Sequence, residues 1–324
     1  MTHLSPQPAV PLSVWPVTQQ VSRIQRTGRY LPESTTHPAK MLPALARHAI
    51  SVFTAPEEVV FDPMCGIGTT LVEATHLGRH GLGVEVEPRW ADLTATNLAH
   101  ARTTGATGTG EVFRGDARHL PAALTDRYTG RVALLLTSPP YGSSVHGRVR
   151  TPGDRPVVKW NHKYSPVRRR TNLAHQSQRE LLASFTSVLR ACLPLLRPGG
   201  IVVVTARPWR SNRELVDLPA SVFRAGVTAG LQPVQRCVAL LAAIREGDLV
   251  TRASFFQLLE TRRLHHAGIP AHVIAHEDVL ILRKPPGHQS TPELKGLRME
   301  PVDMARALCR RDAPDAGDAE GLAA

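Results

Sequence analysis

Short apolar runs alternate with longer stretches of helical periodicity through most of the chain. The apolar runs predict seven strands, over residues 58–62, 80–86, 112–113, 131–137, 201–205, 234–241 and 278–282. Between them, apolar positions that recur every three or four residues predict helices over residues 39–53, 69–77, 88–102, 178–196 and 214–230. Strands that alternate with helices in this way indicate an α/β protein with a doubly wound, mostly parallel sheet.

The two ends of the chain lack this alternation. Residues 1–36 are rich in Pro, Ser, Thr and Gln, which predicts a flexible N-terminal arm. Periodicity is lost again from Pro285 onward, so residues 285–324 are expected to form a flexible C-terminal tail. One folded domain is therefore expected over residues 37–284, with a basic loop at 142–177 and a basic helical insert at 243–271.

Positive charge is concentrated in the basic loop. The chain has a formal net charge of +12, and residues 142–170 contain eight Lys or Arg residues against one acid, Asp154. A cluster of this kind favours contact with the phosphates of a nucleic acid. The candidate contacts are Arg148, Arg150, Lys159, Lys163, Arg168, Arg169 and Arg170.

Cysteine usage and hydropathy exclude several classes of protein. The four cysteines are far apart and form no C-x-x-C pair, which excludes a disulfide framework and a zinc ribbon and suits a reducing cytoplasm. No apolar run approaches the ~18 residues of a transmembrane helix, and no signal peptide is visible. The histidines near Glu277 match no standard ligand spacing, so we expect a cytoplasmic protein with no metal site and no membrane partner.

Four polar side chains follow four of the predicted strands, at the point where each strand ends. They are Asp62, Glu85, Asp116 and Ser138. In doubly wound sheets, ligands bind beyond the carboxyl ends of the strands, near the switch in strand order. The sequence therefore predicts a ligand site that these four residues share.

The first two strand ends predict a nucleoside site. The turn after Asp62 contains Gly66 and Gly68, but it lacks the third glycine of a dinucleotide fingerprint and the Gly-Lys-Ser/Thr of a P-loop. Glu85 follows Gly66 by 19 residues, close to the ~20-residue spacing at which an acid holds ribose hydroxyls. With Asp116 available for the exocyclic amine of adenine, adenosine bound without phosphates indicates S-adenosylmethionine.

The segment Leu134-Leu-Leu-Thr-Ser-Pro-Pro-Tyr-Gly142 carries the other half of the predicted site. Two prolines hold the backbone rigid after the strand, so that the Ser138 hydroxyl and the Pro139 carbonyl can both accept hydrogen bonds. Tyr141 offers an aromatic face beside them. This set fits a planar base with an exocyclic amine, which must leave a duplex to enter such a pocket.

These motifs resemble the DNA amino-methyltransferases, the cytosine-N4 and adenine-N6 group. The resemblance is carried by Asp62-Pro-Met-Cys-Gly-Ile-Gly-Thr-Thr70 and Thr137-Ser-Pro-Pro-Tyr141, and it extends to His37-Pro-Ala-Lys-Met41, Arg197-Pro-Gly-Gly200 and Glu277–Arg283, over residues 36–284. It implies a class I S-adenosylmethionine-dependent methyltransferase, with a seven-stranded sheet whose last strand is antiparallel. The implied catalytic residues are Ser138, Pro139, Pro140 and Tyr141. The implied cofactor-binding residues are His37, Lys40, Asp62, Pro63, Met64, Cys65, Gly66, Gly68, Thr69, Thr70, Glu85 and Asp116.

The target base is less closely defined. Ser138 stands where adenine enzymes more often have Asp or Asn, which favours cytosine N4 in DNA, with a cognate restriction nuclease as an expected partner. Adenine-N6 methylation remains an alternative. The motif order also resembles tRNA guanine-N2 methyltransferases, which usually have Asp at the position of Ser138 and an N-terminal RNA-binding domain.

Two other readings are disfavoured by particular residues. Cytosine-C5 methylation needs a cysteine nucleophile that follows a proline, and the chain has no Pro-Cys pair. A nucleic-acid-binding protein that merely retains a cofactor pocket is disfavoured by the intact Ser-Pro-Pro-Tyr segment and by Glu85.

Overall fold

The computed structural model describes residues 10–140, 148–150, 158–160, 172–211, 213–253 and 255–286. The chain divides into two compact units, residues 1–287 and 288–324. All described residues belong to the first unit, so the tail predicted over residues 285–324 lies outside the described part from residue 287 onward.

An eight-stranded sheet forms the centre of the first unit, with short hairpins outside it. The strands are β1 (Val14–Trp15), β2 (Val59–Asp62), β3 (His80–Glu85), β4 (Gly110–Arg114), β5 (Val132–Thr137), β6 (Arg148–Arg150), β7 (Val158–Trp160), β8 (Leu196–Ala206), β9 (Trp209–Ser211), β10 (Glu214–Val216), β11 (Gln232–Leu240), β12 (Ala242–Arg245), β13 (Asp248–Thr251) and β14 (His276–Arg283).

The helices lie between these strands along the chain. They are α1 (Ser22–Arg26), α2 (Pro43–Phe53), α3 (Thr69–His76), α4 (Pro88–Thr103), α5 (Ala122–Tyr128), α6 (Gln178–Cys192), α7 (Leu218–Thr228) and α8 (Phe255–His266), with 3₁₀ helices at Pro32–Thr36 and Leu173–His175.

The strand order is β1-β11-β14-β8-β5-β2-β3-β4. Strands β4, β3, β2, β5 and β8 are parallel to one another, whereas β14 is antiparallel to both β8 and β11. The predicted class I methyltransferase fold, with its last strand antiparallel, is confirmed. The sheet has one strand more than predicted, because Val14 and Trp15 pair with Val238 and Ala239 at its edge.

Alternate residues of each central strand fill the cores on the two faces of the sheet. Phe61 packs with α5, α6 and α7 on one face, whereas its neighbour Val60 packs with α2 and α3 on the other. Leu280 and Val279 of β14 divide between the same two cores. Successive residues of these strands point to opposite faces, and both faces are buried. The strands therefore appear in the sequence as continuous apolar runs and not as alternating ones.

The N-terminal segment differs from the flexible arm predicted over residues 1–36. From residue 10 onward it forms β1, α1 and a 3₁₀ helix, and Trp15 and Tyr30 are only 2% and 6% exposed. Its apolar residues follow neither helical nor strand periodicity, so the sequence pattern gave no sign of this packing. Residues 10–36 are therefore part of the folded unit.

Two polar side chains of the helices hold this segment in place. The buried Glu73 of α3 accepts hydrogen bonds from the Arg29 guanidinium at 2.7 Å and from the Tyr30 hydroxyl at 2.7 Å. Asn97 of α4 accepts from the Leu31 amide at 3.0 Å and donates to the Ser34 hydroxyl at 3.0 Å. Within the described residues, the segment thus supplies the hydrogen-bond donors of two buried atoms, Glu73 Oε1 and Asn97 Oδ1.

The insert predicted as helical over residues 243–271 is helical only in its second half. Residues 242–251 form an antiparallel hairpin, β12 and β13, before α8 begins. At its tip, Glu246 and Gly247 have φ angles of +51° and +91°, the left-handed pair that a two-residue hairpin turn requires.

The basic loop predicted over residues 142–177 is described only in part. Residues 148–150 and 158–160 form the antiparallel hairpin of β6 and β7, which contains Arg148, Arg150 and Lys159. Lys163, Arg168, Arg169 and Arg170 lie outside the described residues. The segment from Asn172 onward belongs to the folded unit, because Leu173 and Ala174 are buried.

We predict that Tyr30→Phe lowers the free energy of unfolding by about 1.5–3 kcal/mol, since it removes a buried hydrogen bond to an ionised carboxylate. Tyr128→Phe is the matched control, because the Tyr128 hydroxyl donates to Glu111 near the surface. Its loss should cost less than about 0.5 kcal/mol. Urea unfolding measures both values, and equal effects would show that the Tyr30–Glu73 contact does not anchor the N-terminal segment.

Candidate active site

All four strand-end groups line one cavity at the carboxyl edge of the sheet. Asp62, Glu85, Asp116 and Ser138 surround a space of about 420 Å³, a size typical of small-molecule sites. The chain runs from β2 to β3 and β4 on one side and to β5 and β8 on the other, so the cavity lies at the switch in strand order. The three acids lie over β2, β3 and β4, and Ser138 lies over β5.

Asp62 ties the two sides of this crevice together. Its carboxylate accepts hydrogen bonds from the Thr137 hydroxyl of β5 at 2.8 Å, from the Thr70 hydroxyl of α3 at 2.7 Å and from the Met64 amide at 3.1 Å. Burial raises the pKa of Asp62 to about 6 in spite of these three bonds. Much of the hydrogen-bonding capacity of Asp62 is therefore used to shape the site.

The turn after β2 depends on two glycines. Gly66 and Gly68 have φ angles of +56° and +80°, and a Cβ at Gly68 would lie 2.6 Å from the Thr94 side chain. Gly68, and not Thr69, is the N-cap residue of α3. Gly68 and Thr70 do not line the cavity, whereas Thr69 does, so the first two contribute to the site through the shape of the turn.

Glu85 is held in place by two backbone amides, one in the turn after β2 and one directly after β3. Its Oε2 accepts from the Gly66 amide at 2.8 Å and its Oε1 accepts from the Glu87 amide at 2.9 Å. Burial raises the pKa of Glu85 to about 7. Because each carboxylate oxygen has a second lone pair, Glu85 can still accept two hydroxyl donors from a ligand.

His37 covers the turn from the N-terminal side. Its ring packs edge-on against Trp90, with 4.6 Å between ring centroids, and a Cβ at Gly66 would lie 3.2 Å from His37 Nε2. The Lys40 ammonium donates to the His37 carbonyl at 2.6 Å. Both side chains line the cavity, together with Pro63, Met64 and Cys65 of the turn.

Asp116 has a protein partner that the sequence did not reveal. The Arg118 guanidinium donates to both of its carboxylate oxygens, with an Nη2–Oδ2 distance of 2.6 Å. Opposed only by partial burial, this pairing keeps the pKa of Asp116 below its ordinary value. An adenine amine at this position would share the carboxylate with Arg118.

The Ser-Pro-Pro segment forms the wall opposite the acids. Ser138, Pro139 and Pro140 all line the cavity directly after β5. Tyr141 lies outside the described residues, so its expected place beside the base stays a prediction.

A contact that the sequence did not predict joins the end of the basic segment to the cavity. The Asn172 side chain donates to the Glu87 carboxylate at 2.9 Å, and both residues are buried in the cavity wall. Because Glu87 follows Glu85 by two residues, the sequence could have indicated that Glu87 lies at the cavity. Asn172 could not be predicted as the partner of Glu87, because the two residues are 85 positions apart and local patterns do not report such contacts.

Arg207 and Glu277 form a second pair that was not assigned to the site. They line the cavity on the side of β8 and β14, with 3.7 Å between Arg207 Nε and Glu277 Oε1. From the sequence, Glu277 stands out only beside histidines without metal-ligand spacing and at the start of the segment Glu277–Arg283.

Other reactive groups in the described part of the chain do not indicate further chemistry. No cluster of three His, Cys, Asp or Glu residues within it could hold a metal ion. Burial raises the pKa of the Cys65 thiol well above its ordinary value, so Cys65 is a packing residue of the turn. None of the described helices combines the length and the apolar character needed to cross a membrane.

The acceptors and apolar side chains that line the cavity fit adenosine without phosphates. Glu85 can receive two ribose hydroxyls, the carboxylate of Asp116 lies beyond it, and Val86, Ala117 and Leu173 supply apolar walls for a base. The strand order and the site together define the class I S-adenosylmethionine-dependent methyltransferases. S-adenosylmethionine is the cofactor that this fold and the lining of the cavity fit.

Comparison with known proteins gives the family likeness. A family model described as DNA methylase matches residues 2–96, which confirms the resemblance to the DNA amino-methyltransferases. These residues include the N-terminal segment, the glycine turn and Glu85.

Curated relatives match over a limited part of the chain. The tRNA (guanine(10)-N2)-dimethyltransferase of Methanocaldococcus jannaschii is 34% identical over 109 residues, which are 33% of this chain and 30% of that protein. The Type II methyltransferase M.ScaI of Streptomyces caespitosus is 30% identical over 88 residues, 27% of this chain and 28% of that protein. The chain thus spans less than a third of the length of these relatives. Among solved structures, TrmN from Thermus thermophilus aligns with a TM-score of 0.45 and 20% identity, over 79% of this chain and 53% of that chain.

We predict that Glu85→Ala weakens binding of S-adenosylhomocysteine by about 1.5–3 kcal/mol, through the loss of charge-assisted ribose hydrogen bonds. Calorimetric titration measures the dissociation constant. Glu111→Ala, outside the cavity, is the control and should leave it unchanged. An unaltered constant in Glu85→Ala would remove Glu85 from the cofactor site.

The raised pKa of Glu85 also predicts a pH dependence. Ribose hydroxyls donate best to the ionised carboxylate, so affinity for S-adenosylhomocysteine should rise as pH increases from about 6 to 8. The ligand-free protein should lose stability as the pH rises from about 4.5 to 7. Over this range the unfolded chain has already released the Glu85 proton, whereas the folded protein still holds it. Both effects should shrink in Glu85→Gln. Calorimetry and thermal unfolding across this range test them, and an affinity that falls with pH would contradict the assignment.

Proposed function

We propose that the protein transfers a methyl group from S-adenosylmethionine to the exocyclic amine of a nucleobase, cytosine N4 in DNA. The observation that carries this proposal is the meeting of a nucleoside-binding half and a Ser-Pro-Pro wall in one cavity. When bound, the cofactor supplies a methyl group activated on a sulfonium. In their ionised forms Asp62 and Glu85 would give that half of the cavity a negative character suited to a cationic ligand.

The chain's own residues orient the amine. The Ser138 hydroxyl and the Pro139 carbonyl would each accept one amine hydrogen, which aims the nitrogen lone pair away from them and toward the cofactor half. The rigid Pro139-Pro140 backbone keeps these acceptors fixed, so little rotational freedom is lost when the base binds. No covalent intermediate is needed.

DNA is the proposed substrate and a Type II modification role the proposed context. The basic residues at 142–171 and the insert of β12, β13 and α8 are the proposed surfaces for its phosphates. The DNA methylase family match and the likeness to M.ScaI and to M.BglII of Bacillus subtilis support this choice. A cognate restriction nuclease is part of the same proposal, and adenine N6 is its alternative target in DNA.

A second candidate function is guanine-N2 methylation of tRNA. It is favoured by the 34% identity with two archaeal tRNA (guanine(10)-N2)-dimethyltransferases over 109 residues. Guanine N2 is also an exocyclic amine, so the same acceptors would serve it.

Nucleoside mass spectrometry separates these candidates. The purified protein is incubated with labelled S-adenosylmethionine and either unmethylated DNA or unmodified tRNA, and the digested nucleosides are identified. N4-methylcytosine in DNA is the expected product. N2-methylguanine in tRNA alone would establish the second candidate, and N6-methyladenine in DNA the alternative base.

We predict that Tyr141→Ala reduces single-turnover methyl transfer far more than it changes cofactor affinity. Loss of one stacking platform should cost about 1–3 kcal/mol of base binding, and a displacement of the amine by about 1 Å adds a rate loss of roughly 100-fold. Tyr141→Phe keeps the ring and should retain most activity. Turnover of the alanine variant at the wild-type rate would place the base elsewhere.

We predict that replacing Arg168, Arg169 and Arg170 by alanine weakens binding to DNA of any sequence. Each lost phosphate contact should also reduce the slope of log K against log salt by about 0.9. Alanine at Arg102, Arg131 and Arg283, which are exposed at the opposite edge of the sheet, changes the net charge equally and is the control. An equal loss of DNA affinity in both variants would show that the arginines of the basic loop act only through the net charge of the protein.

A further inference from the structure

Glu277 is a buried carboxyl group of the cavity wall that accepts no hydrogen bond from the described residues. Its side chain is only 15% exposed, and Arg207 Nε lies 3.7 Å from Glu277 Oε1, which is longer than a hydrogen bond. Carboxyl groups buried in this way are normally hydrogen-bonded, since leaving them unpaired is costly. The position therefore suits a ligand that supplies the missing hydrogen-bond partner.

The antiparallel direction of β14 places Glu277 on the substrate side of the cavity. β14 begins at the edge where β5 and β8 end, and the order β14-β8-β5 puts Glu277 two strands away from Ser138. Two strand spacings are roughly 10 Å, a backbone separation that the Glu277 side chain and a base held at Ser138 can bridge together. Asp62, Glu85 and Asp116 lie on the other side of Ser138, over β2, β3 and β4.

We propose that Glu277, positioned by Arg207, reads the target base by donating a hydrogen bond from its carboxyl group to the ring nitrogen beside the amine. The proposal rests on the function proposed above, in which Ser138 and Pro139 take the amine itself. In cytosine that ring nitrogen, N3, is an acceptor, as is N1 of adenine. In guanine the N2 amine lies between N1, which carries a hydrogen, and N3, which is an acceptor, so the carboxyl could donate only on the N3 side.

Burial is the factor that favours the protonated form of the Glu277 carboxyl. Burial raises the pKa of Glu277 above its ordinary value, while Arg207 at the end of β8 and His276 on β14 oppose the shift. Entry of a base excludes further water from the carboxyl and acts in the same direction as burial.

The test compares Glu277→Gln with Glu277→Ala at saturating S-adenosylmethionine, on DNA amplified in vitro so that it carries no methylation. The glutamine amide can still donate to a ring nitrogen, so Glu277→Gln should keep kcat/KM within a few-fold of wild type. Glu277→Ala should lower it by about 10-fold to 100-fold. Wild-type kcat/KM should fall as pH rises and the carboxyl ionises, and this fall should be absent in Glu277→Gln.

Two measurements separate this role from a structural one. Thermal unfolding and the dissociation constant for S-adenosylhomocysteine should be unchanged in both variants, and Glu214→Gln, on the exposed β10, should behave as wild type throughout. The assignment is overturned if Glu277→Ala keeps the kcat/KM of the wild type. It is also overturned if the kcat/KM of the wild type rises with pH, or if its fall with pH is still present in Glu277→Gln. Failure of the proposed function shows separately, as a wild-type protein that methylates no base in DNA.

Discussion

The carboxylate of Asp62 is the group on which the arrangement of the cavity depends. A doubly wound sheet opens a crevice where the chain turns to opposite sides, here between β2 and β5, and nothing in the backbone ladder closes that crevice at its end. Asp62 closes it with side-chain hydrogen bonds to Thr137 of β5 and Thr70 of α3. The acidic half and the Ser-Pro-Pro half are thus held at a fixed distance by one buried group beneath them.

A second buried acid extends this arrangement to the N-terminal segment. Glu73 carries its charge with no exposed surface, and the guanidinium groups of Arg29 and Arg47 and the Tyr30 hydroxyl surround it. These contacts fix the residues that lead directly to His37 over the glycine turn. The segment before the first central strand is therefore a structural element of the cofactor side, which agrees with the family match over residues 2–96.

Local signals were enough to predict seven strands of the central sheet and the polar strand ends that line one cavity. Strand ends are marked by apolar runs that stop at Asp62, Glu85 and Ser138, and each signal lies within a few residues. The failures involve contacts between distant residues: Tyr30 with Glu73 is separated by 43 positions and Asn172 with Glu87 by 85. The hairpin at Glu246-Gly247 is different, because its turn is local and could have been recognised from the glycine.

The direction of β14 has a consequence for how this fold can change. β11 ends, and β14 begins, at the edge of the sheet where the cavity opens, and the residues between them form a hairpin and a helix. Unlike a parallel crossover, this connection does not have to return across a face of the sheet, so its length is not set by packing. Insertions or deletions in this connection alter the mouth of the cavity while every strand keeps its register. The area that the protein can contact on a large substrate can therefore change without destabilising the core.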